Sequence, residues 1–459
     1  MWNNSRRGKT RRLPDPLLGA ILFLFLVASL PTANSQTAGD APAPSLPVQH
    51  PVITLAEAIH RAEANEPIYA AASAESRASA LDRAIARGGL LPSVVYHNQA
   101  TYTQPTSPAA GSQSSQIFIA NNAVHEYASQ ASINERLGLN QIAGVRRADA
   151  ASALAAAQLE VARRGLISAV TGLFYGSLAA DHKLLVADRA RQEADDFTSL
   201  TTKREQAREA AHADVVKAQL VAQQRQRDLQ DAKLAAEKAR LELGVLLFPD
   251  PRTPYTLQAA DTVPQLISRE DVEQAAAKNN PELKSALSTL AVSNADMLSA
   301  RAAYLPDLGV NFTYGIDAPQ FAVNGPDKTR NLGYSASVTL DIPVWDWFST
   351  QHKVKQSGIR RDAAQVALTA TQRRLIARLD EAYSEAQAAR DQLDSLDASA
   401  ATAAESLRLT RLRYTNGEAT VLEIVDAQSA YVTAENARED GRVRYETARA
   451  DLETLTGTL

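Results

Sequence analysis

The chain contains no cysteine among its 459 residues. Disulfide bonds are therefore excluded, and so is an N-terminal lipid anchor attached to a cysteine. Proline is absent from two stretches of about one hundred residues, 141–248 and 351–457, which favours long uninterrupted helices there. Stability must come from packing and from assembly.

No arrangement of residues typical of a catalytic or metal site is found. His125-Glu126 is followed by Ser129 where the zinc-protease motif requires histidine. The seven histidines are scattered without ligand spacing, and neither a phosphate loop nor a nucleophile elbow occurs. We therefore predict that the protein is not an enzyme and that it has no cofactor and no metal ligands.

The first 35 residues have the features of a secretory signal peptide. Five basic residues precede an apolar core at 17–30, which is too short to cross a bilayer comfortably as a helix. Ala33 and Ser35 supply the small residues of a cleavage site. We predict a signal peptide at 1–35 and export from the cytoplasm, the alternative being a membrane anchor. Residues 36–51, rich in Ala, Pro, Ser and Gln, predict a flexible leader.

The charge balance disfavours a nucleic-acid partner. Removal of the signal peptide takes away five of 48 basic residues and one of 52 acidic residues. The mature chain then carries 43 basic and 51 acidic groups, a net charge of −8. An acidic surface repels phosphate backbones, so we expect no nucleic-acid binding and no polybasic membrane contact.

The chain also contains an internal repeat. Residues recur at a fixed offset of 214 over some forty positions, namely Asn65/Asn279, Pro67/Pro281, Ala72/Ala286, Ser79/Ser293, Asp82/Asp296, Ala86/Ala300, Arg87/Arg301 and Leu91-Pro92/Leu305-Pro306. Such an offset indicates a duplicated unit of about two hundred residues. Each copy is predicted to open with one helix of about thirty residues, at 55–89 and 270–304, that Leu-Pro terminates.

After each Leu-Pro pair the hydrophobic period changes from helical to alternating. Residues 308–316 and 331–342 alternate strictly, with one apolar or aromatic face and one polar face. The first copy alternates less clearly over 94–103, with a partner strand predicted within 127–133. These lengths fit membrane-spanning strands. The alternative is a soluble sheet with one buried face.

The proline-free stretches predict two long helical hairpins. Gly417 is the one strong breaker in the second, and it divides that stretch into helices of about 65 and 40 residues. The first hairpin has no tip glycine. Aligning Ala218-Gln219 with Ala427-Gln428, an offset of 209, places Arg208 at the tip, where we expect a more helical turn.

Two β-hairpins cannot form a complete membrane barrel. They supply four strands, whereas the smallest bacterial barrels have eight. An open sheet edge in lipid leaves backbone groups unpaired at several kcal/mol each. Several copies of the chain must therefore share one barrel.

This organisation resembles the TolC-type outer membrane efflux protein family. The residues that carry the resemblance are Asn65-Glu-Pro67, Asn279-Asn-Pro-Glu-Leu283, both Leu-Pro pairs, Leu340-Asp-Ile-Pro-Val-Trp345, Arg413-Tyr-Thr-Asn-Gly417 and Val421–Gln428. It implies a mainly α fold with a small membrane β part, in two tandem repeats of helix, β-hairpin and long helical hairpin. The repeats are expected at 52–262, with strands within 92–137 and long helices at 141–248, and at 263–459, with strands within 306–345 and long helices at 351–457.

The resemblance implies a homotrimer whose twelve-stranded barrel, set in outer membrane lipid, continues into a periplasmic α-barrel. Such a protein is the exit duct of a tripartite efflux pump or a type I secretion system. The implied partners are a periplasmic adaptor and an inner-membrane pump of the RND, ABC or MFS type. The sequence leaves the substrate and the choice between efflux and secretion open.

The resemblance also implies a gate at the helix tips. Glu423 and Asp426 match paired acids that ring the periplasmic entrance, where six carboxylates around a three-fold axis would repel and raise one another's pKa. Their spacing places both on one helix face, which we expect to lie opposite Leu422 and Val425. The alternative is a solvated helix face.

Other tip residues are assigned by the same resemblance. Asp214, which aligns with Glu423, and Tyr414 match a polar latch between neighbouring hairpins, although the basic partner expected nearby is Ala419 here. Asn416, Gly417 and Arg208 are the expected adaptor contacts. A competing interpretation is a periplasmic adaptor, which also has a helical hairpin but carries one hairpin and lipoyl-like motifs. A third, an exported structural coiled coil, does not explain the alternating runs.

Overall fold

The computed structural model describes residues 51–103, 125–259, 265–325 and 328–457. The predicted signal peptide, and the predicted leader up to residue 50, lie outside the described residues. The elements in these ranges are β1 (Val52–Ile53), α1 (Leu55–Asn65), α2 (Pro67–Gly88), β2 (Ser93–Tyr102), β3 (His125–Leu137), α3 (Leu139–Gln206), α4 (His212–Leu247), β4 (Thr256–Leu257), α5 (Arg269–Asn279), α6 (Pro281–Ala302), β5 (Asp307–Ala318), β6 (Leu332–Asp341), α7 (Ser349–Thr415) and α8 (Val421–Thr456).

The same sequence of elements occurs twice. Helices of 11, 22, 68 and 36 residues in the first half correspond to helices of 11, 22, 67 and 36 residues in the second. A pair of strands follows the second helix in each half. The predicted fold class, a mainly helical chain with a small sheet and two long helical hairpins, is confirmed.

The prediction of one thirty-residue helix at the start of each copy is wrong. The helix breaks before Pro67 and again before Pro281, because proline excludes the preceding residue from the helical region. Glu66 has φ −78° and ψ 117°, and Asn280 has φ −55° and ψ 123°. Each proline then occupies the first turn of a new helix, where its missing N–H is not needed.

An asparagine at each break holds the end of a long helix. The Asn65 side-chain amide donates to the carbonyl of Leu247 at 2.9 Å, and that of Asn280 donates to the carbonyl of Leu455 at 2.9 Å. Carbonyl groups in the last turn of a helix lack intrahelical partners. These bonds therefore fasten the last turns of α4 and α8 to the short helices that begin each half.

The four longer strands form one antiparallel sheet in the order β2-β3-β5-β6. The apolar face is continuous across the sheet, since one row joins Tyr96, Ala131, Tyr314 and Tyr334. A neighbouring row on the other face joins Val95, Ser132, Thr313 and Ser335. Among the described residues, neither β2 nor β6 has a strand on its outer side.

The apolar face of this sheet is open to its surroundings. Tyr334, Val338 and Leu340 are 77%, 69% and 58% exposed. A soluble sheet would cover such a row with another layer. This face therefore needs a non-aqueous environment.

A compact apolar core lies where the short and long helices meet. Ile53, Phe174 and Leu243 are almost completely buried there, beside the parallel pair formed by β1 and β4. Tyr255 closes this core and donates its hydroxyl to the carbonyl of Arg240 at 2.8 Å. In the described part of the chain, no helix combines the length and the apolar character needed to cross a membrane.

Candidate functional site

The tips of the two long hairpins pack against each other. Residues from both hairpins form a buried cluster at this point, namely Phe197, Ala218, Tyr414, Val421 and Ile424. Ala419, which occupies the place of the expected basic latch partner, packs against the same cluster. The tips of one chain are therefore joined by apolar burial as well as by polar contacts.

Both tips have the same turn. In the second, Gly417 has φ 82°, its N–H donates to the carbonyl of Tyr414, and the N–H of Glu418 donates to that of Arg413 at 2.8 Å. In the first, the corresponding N–H groups of Arg208 and Glu209 donate to the carbonyls three and five residues earlier, at 2.8 and 2.7 Å. This pattern is a Schellman turn.

The more helical first tip expected from the missing glycine is wrong. Arg208 has φ 63° and so adopts the left-handed conformation of Gly417. An L-residue in this conformation is strained by its Cβ, and arginine has no side-chain acceptor to compensate locally. Arg208, Asn416 and Gly417 are all exposed at the ends of the hairpins.

Tyr414 joins the second hairpin to the first. Its side chain is buried, and its hydroxyl lies 3.2 Å from the hydroxyl of Thr201 on α3. Arg204 donates to the Tyr414 carbonyl at 2.8 Å and lies 5.0 Å above its ring. The guanidinium group is attracted to the aromatic face, and its hydrogen bond to the carbonyl further stabilises the contact between the hairpins.

Asp214 and Tyr414 are not brought together in the described structure. The Asp214 carboxylate instead accepts from the backbone N–H of Ala211 at 3.4 Å, at the start of its own helix. Within one chain, the polar contacts of Tyr414 are made by Thr201 and Arg204.

Glu423 is also engaged at a helix start. Its carboxylate accepts from the backbone N–H and the hydroxyl of Thr420, both at 3.2 Å, and pairs with Arg413 at 3.1 Å. The Thr420 N–H lowers the pKa of Glu423 from its usual value, and Arg413 lowers it further. Within one chain, the direction is opposite to the rise expected for a ring of repelling acids.

Asp426 is exposed on the same helix. The buried face of α8 near the tip consists of Val421, Ile424 and Ala427, whereas Leu422 is 52% exposed. The expectation that the two acids lie opposite both Leu422 and Val425 is therefore wrong for Leu422, whereas Val425 packs against the tip cluster. Leu422 and Asp426, four residues apart, share the outward face.

Sequence reasoning missed Thr201, Arg204 and Arg413. Arg204 and Arg413 differ by 209 residues, the offset that aligns the two tips. That correspondence was a usable signal, since an arginine lies four residues before the left-handed residue of each turn. The contacts differ, however, because Arg204 crosses to the other hairpin whereas Arg413 stays within its own tip.

Charged pairs join the hairpins farther from the tips. His182 Nδ1 lies 3.0 Å from the buried carboxylate of Glu439, and Lys183 bonds Asp440 at 2.5 Å. Burial tends to raise the pKa of Glu439, but His182 and Arg438 outweigh it and lower that pKa. Within the described ranges, no three acidic or histidine side chains are grouped to hold a metal ion.

Parts of this sequence are similar to known proteins. The family described as outer membrane efflux protein matches residues 272–458. Protein CyaE of Bordetella pertussis is 26% identical over 273 residues, which cover 58% of this chain and 57% of CyaE. The alkaline protease secretion protein AprF of Pseudomonas aeruginosa is 23% identical over 422 residues, or 88% of this chain and 84% of AprF. The match to CyaE thus spans just over half of that relative.

Two solved outer membrane proteins share the fold. The CmeC outer membrane channel of Campylobacter jejuni superposes with a TM-score of 0.72 at 16% identity, covering 88% of this chain and 85% of CmeC. The outer membrane protein VceC of Vibrio cholerae gives 0.73 at 15% identity, covering 88% of this chain and 96% of VceC. At such identities, the likeness establishes the fold.

Proposed function

We propose that the chain, whose residues 272–458 match the outer membrane efflux protein family, is a passive exit duct in the outer membrane. It conducts substrates from an inner-membrane pump to the exterior, within a tripartite efflux pump or a type I secretion system. The observation that carries this proposal is the four-stranded sheet, whose apolar face is exposed and whose strands β3 and β6 each lead into a long helix. A periplasmic adaptor, the alternative, would not require such a sheet.

Three copies of the sheet supply the twelve strands of a closed barrel. In that arrangement β6 of one copy pairs with β2 of the next, which removes the open edges that lipid does not tolerate. The hairpins of the three copies then form the wall of a tube below the barrel. Each copy contributes two hairpins, and the tips close the tube.

Pore formation tests the duct directly. The mature protein, purified in mild detergent, should be a trimer by light scattering and should form pores of one conductance class in planar bilayers. A stable monomer that forms no pores contradicts the proposal. Crosslinking in native membranes, followed by purification of the attached pump, distinguishes the efflux system from the secretion system.

We place the closed-state latch at Tyr414 and its contacts with Thr201 and Arg204. Opening the tube requires the two hairpins to separate, and these contacts join them at the tip. Asp214 is assigned a supporting role, because it holds the first turn of α4 rather than touching Tyr414. Conductance of the closed channel should therefore depend on the Tyr414 hydroxyl.

The latch is tested by removing single hydroxyl groups. Tyr414→Phe and Thr201→Val should each raise single-channel conductance. The double variant should add little, because both substitutions remove the same bond between the two hydroxyl groups. Thr202→Val is the matched control, since the Thr202 hydroxyl bonds only its own helix at Thr198. Unchanged conductance in both variants would contradict the latch assignment, while the pores that they form would still support the duct.

The two acids are proposed to act differently at the entrance. Asp426 is exposed and is the better candidate to face the pore, whereas Glu423 holds the start of α8. Asp426→Asn should reduce cation selectivity with unchanged trimer yield. Glu423→Gln should loosen the tip and raise conductance. Wild-type selectivity in Asp426→Asn would make this acid a solvated surface residue.

The exposed tips are proposed as the contact for the periplasmic adaptor. Asn416, Gly417 and Arg208 lie at the ends of the hairpins, where a second tubular protein would meet them. A photo-crosslinking amino acid at position 416 or 208 should capture the adaptor in cells. The same label at Gln372, which is exposed in the N-terminal half of α7 and far from the tip, is the control. Equal capture from all three positions would argue against tip-to-tip contact.

A further inference from the structure

The most exposed apolar side chains of the second repeat follow directly after β6. Val344 and Trp347 are 89% and 81% exposed, and Trp345 and Phe348 are 63% and 55% exposed. We call residues 344–348 the aromatic turn. Large apolar groups in such a concentration mark a surface that another phase or molecule covers.

The backbone of the aromatic turn holds these rings outward under strain. Trp347 and Phe348 have φ values of 56° and 63°, so two consecutive bulky residues adopt the left-handed conformation. This conformation is unfavourable for an L-residue because its Cβ lies too close to the following carbonyl oxygen. The turn is kept in place by Asp346, whose carboxylate accepts from the backbone N–H of Thr350 at 2.7 Å.

The rings also support one another. The Trp345 ring lies edge-on to Trp347 at 5.7 Å and to Phe348 at 5.1 Å between centroids. Edge-to-face pairs at these distances are favourable. The aromatic turn is therefore a preformed cluster, and strained exposed clusters of this kind point to a binding role.

The position of the turn indicates what it meets. It continues β6, whose exposed apolar row includes Tyr334, Val338 and Leu340 and extends to Ile342 and Val344 in the same phase. Asp341 pairs with Asp307, which directly follows Leu305-Pro306 at the end of the α6 segment. The turn thus lies at the helical end of the sheet, where the lipid-facing row stops.

We propose that the aromatic turn is an interfacial anchor that inserts Trp345, Trp347 and Phe348 among the phospholipid headgroups of the periplasmic leaflet. Tryptophan is enriched at this depth because its ring is apolar and its N–H is polar. The corresponding junction of the first repeat, Leu137-Gly138-Leu139, has no aromatic residue. Each chain therefore carries one anchor, and a trimer carries three. The inference rests on the outer-membrane location proposed above.

The natural tryptophans test the proposal without labelling. The chain has three, and Trp2 lies in the predicted signal peptide, so the tryptophan fluorescence of the processed protein comes only from Trp345 and Trp347. Trimers are reconstituted into phosphatidylcholine vesicles brominated near the carbonyl end or near the methyl end of the acyl chains. We expect the largest loss of fluorescence with bromines near the carbonyl end and little loss with aqueous iodide. Trp345→Phe and Trp347→Phe each leave one reporter and should give the same depth.

Two outcomes overturn the anchor. Quenching by iodide but not by brominated lipid places the turn in water. Blue-shifted emission that neither quencher affects places it under a neighbouring subunit, against the α2–β2 junction that β6 would approach. Conductance of the same vesicles is measured in parallel. A conducting trimer with unquenched tryptophans rejects the anchor alone, whereas a protein that does not conduct rejects the duct.

Discussion

At the scale of single residues, the two hairpin tips provide a natural comparison. They share one turn, yet Gly417 meets its left-handed requirement with glycine and Arg208 meets it with arginine. The same hydrogen bonds close both turns. The first tip is therefore the weaker one, and the difference can be attributed to a single side chain.

Replacing Arg208 by glycine should stabilise the first tip. Glycine relieves the left-handed strain, but it also has more conformational freedom in the unfolded chain. The net local stabilisation is about 1 kcal/mol. Amide hydrogen exchange at 205–209 should slow about five-fold at that gain. Gly417→Ala should accelerate exchange at the second tip. Changes of the same sign at both tips would show that backbone strain does not set their stability.

The buried phenol of Tyr255 should make stability sensitive to alkaline pH. Burial raises the pKa of Tyr255 to about 12. In the unfolded chain the phenol ionises near pH ~10. Its contribution is therefore complete below pH ~10 and is lost as pH rises toward ~12, by roughly 2–3 kcal/mol.

Tyr255→Phe separates this contribution from the general effect of alkali. The variant should be less stable at neutral pH by about 1 kcal/mol, because it lacks the bond to the Arg240 carbonyl. It should lose less stability than the wild type between pH ~10 and ~12. Thermal unfolding monitored by circular dichroism measures both. Parallel pH profiles would show that another group is responsible.

At the scale of elements, the two asparagine bonds at the helix breaks differ in one respect. Asn65 and Asn280 both hold the end of a long helix, but Asn280 also caps its own helix by accepting from the N–H of Leu283 at 2.8 Å. Asn280 is 2% exposed. It therefore has donors and acceptors that no water can replace.

Asn280→Ala should destabilise the protein more than Asn65→Ala. Each substitution leaves a helix-end carbonyl without its donor, at a cost of about 1–3 kcal/mol. The loss of the cap adds about 1 kcal/mol for Asn280 alone. Thermal dissociation of the trimer ranks the two variants. Equal losses of stability would show that the cap at Asn280 contributes nothing beyond the side-chain bond to a helix-end carbonyl that both residues make.

The sequence predicted elements better than contacts, for physical reasons. Strands β5 and β6 and the turn at Gly417 follow from alternation and from one glycine, which act locally. The breaks at Glu66 and Asn280 were also local, and the prolines that cause them were visible but were not treated as breaks. The contact of Tyr414 with Thr201 was not predicted, because hairpin packing selects that partner and no spacing rule encodes the packing.

At the scale of the whole molecule, the faces of the sheet determine assembly. Val338 and Thr339 are neighbours on β6 and project to opposite faces. Along β6, the row with Val338 is apolar and also contains Tyr334, Ala336 and Leu340, whereas the row with Thr339 is polar and also contains Ser335 and Ser337. In a closed barrel the first row meets lipid and the second meets water.

Val338→Arg should block formation of the membrane trimer, whereas Thr339→Arg should be tolerated. An arginine at mid-bilayer on the lipid face costs roughly 2–4 kcal/mol. A trimer of the variant would carry three such arginines. Trimer yield from membranes, measured by light scattering in detergent, compares the two. Equal damage from both substitutions would favour a soluble sheet over a barrel.

The asparagine bonds at the ends of α4 and α8 have a mechanical consequence. Each of these helices has 36 residues, or roughly 54 Å at the helical rise, between its tip and its fastened end. A rotation of about 5° at the fastened end then displaces a tip by about 5 Å over that length. Asn65 and Asn280 thus hold the ends about which α4 and α8 would rotate. A component that grips the tips works at the far end of each helix, so a weak force there exerts a large torque on the base of the tube.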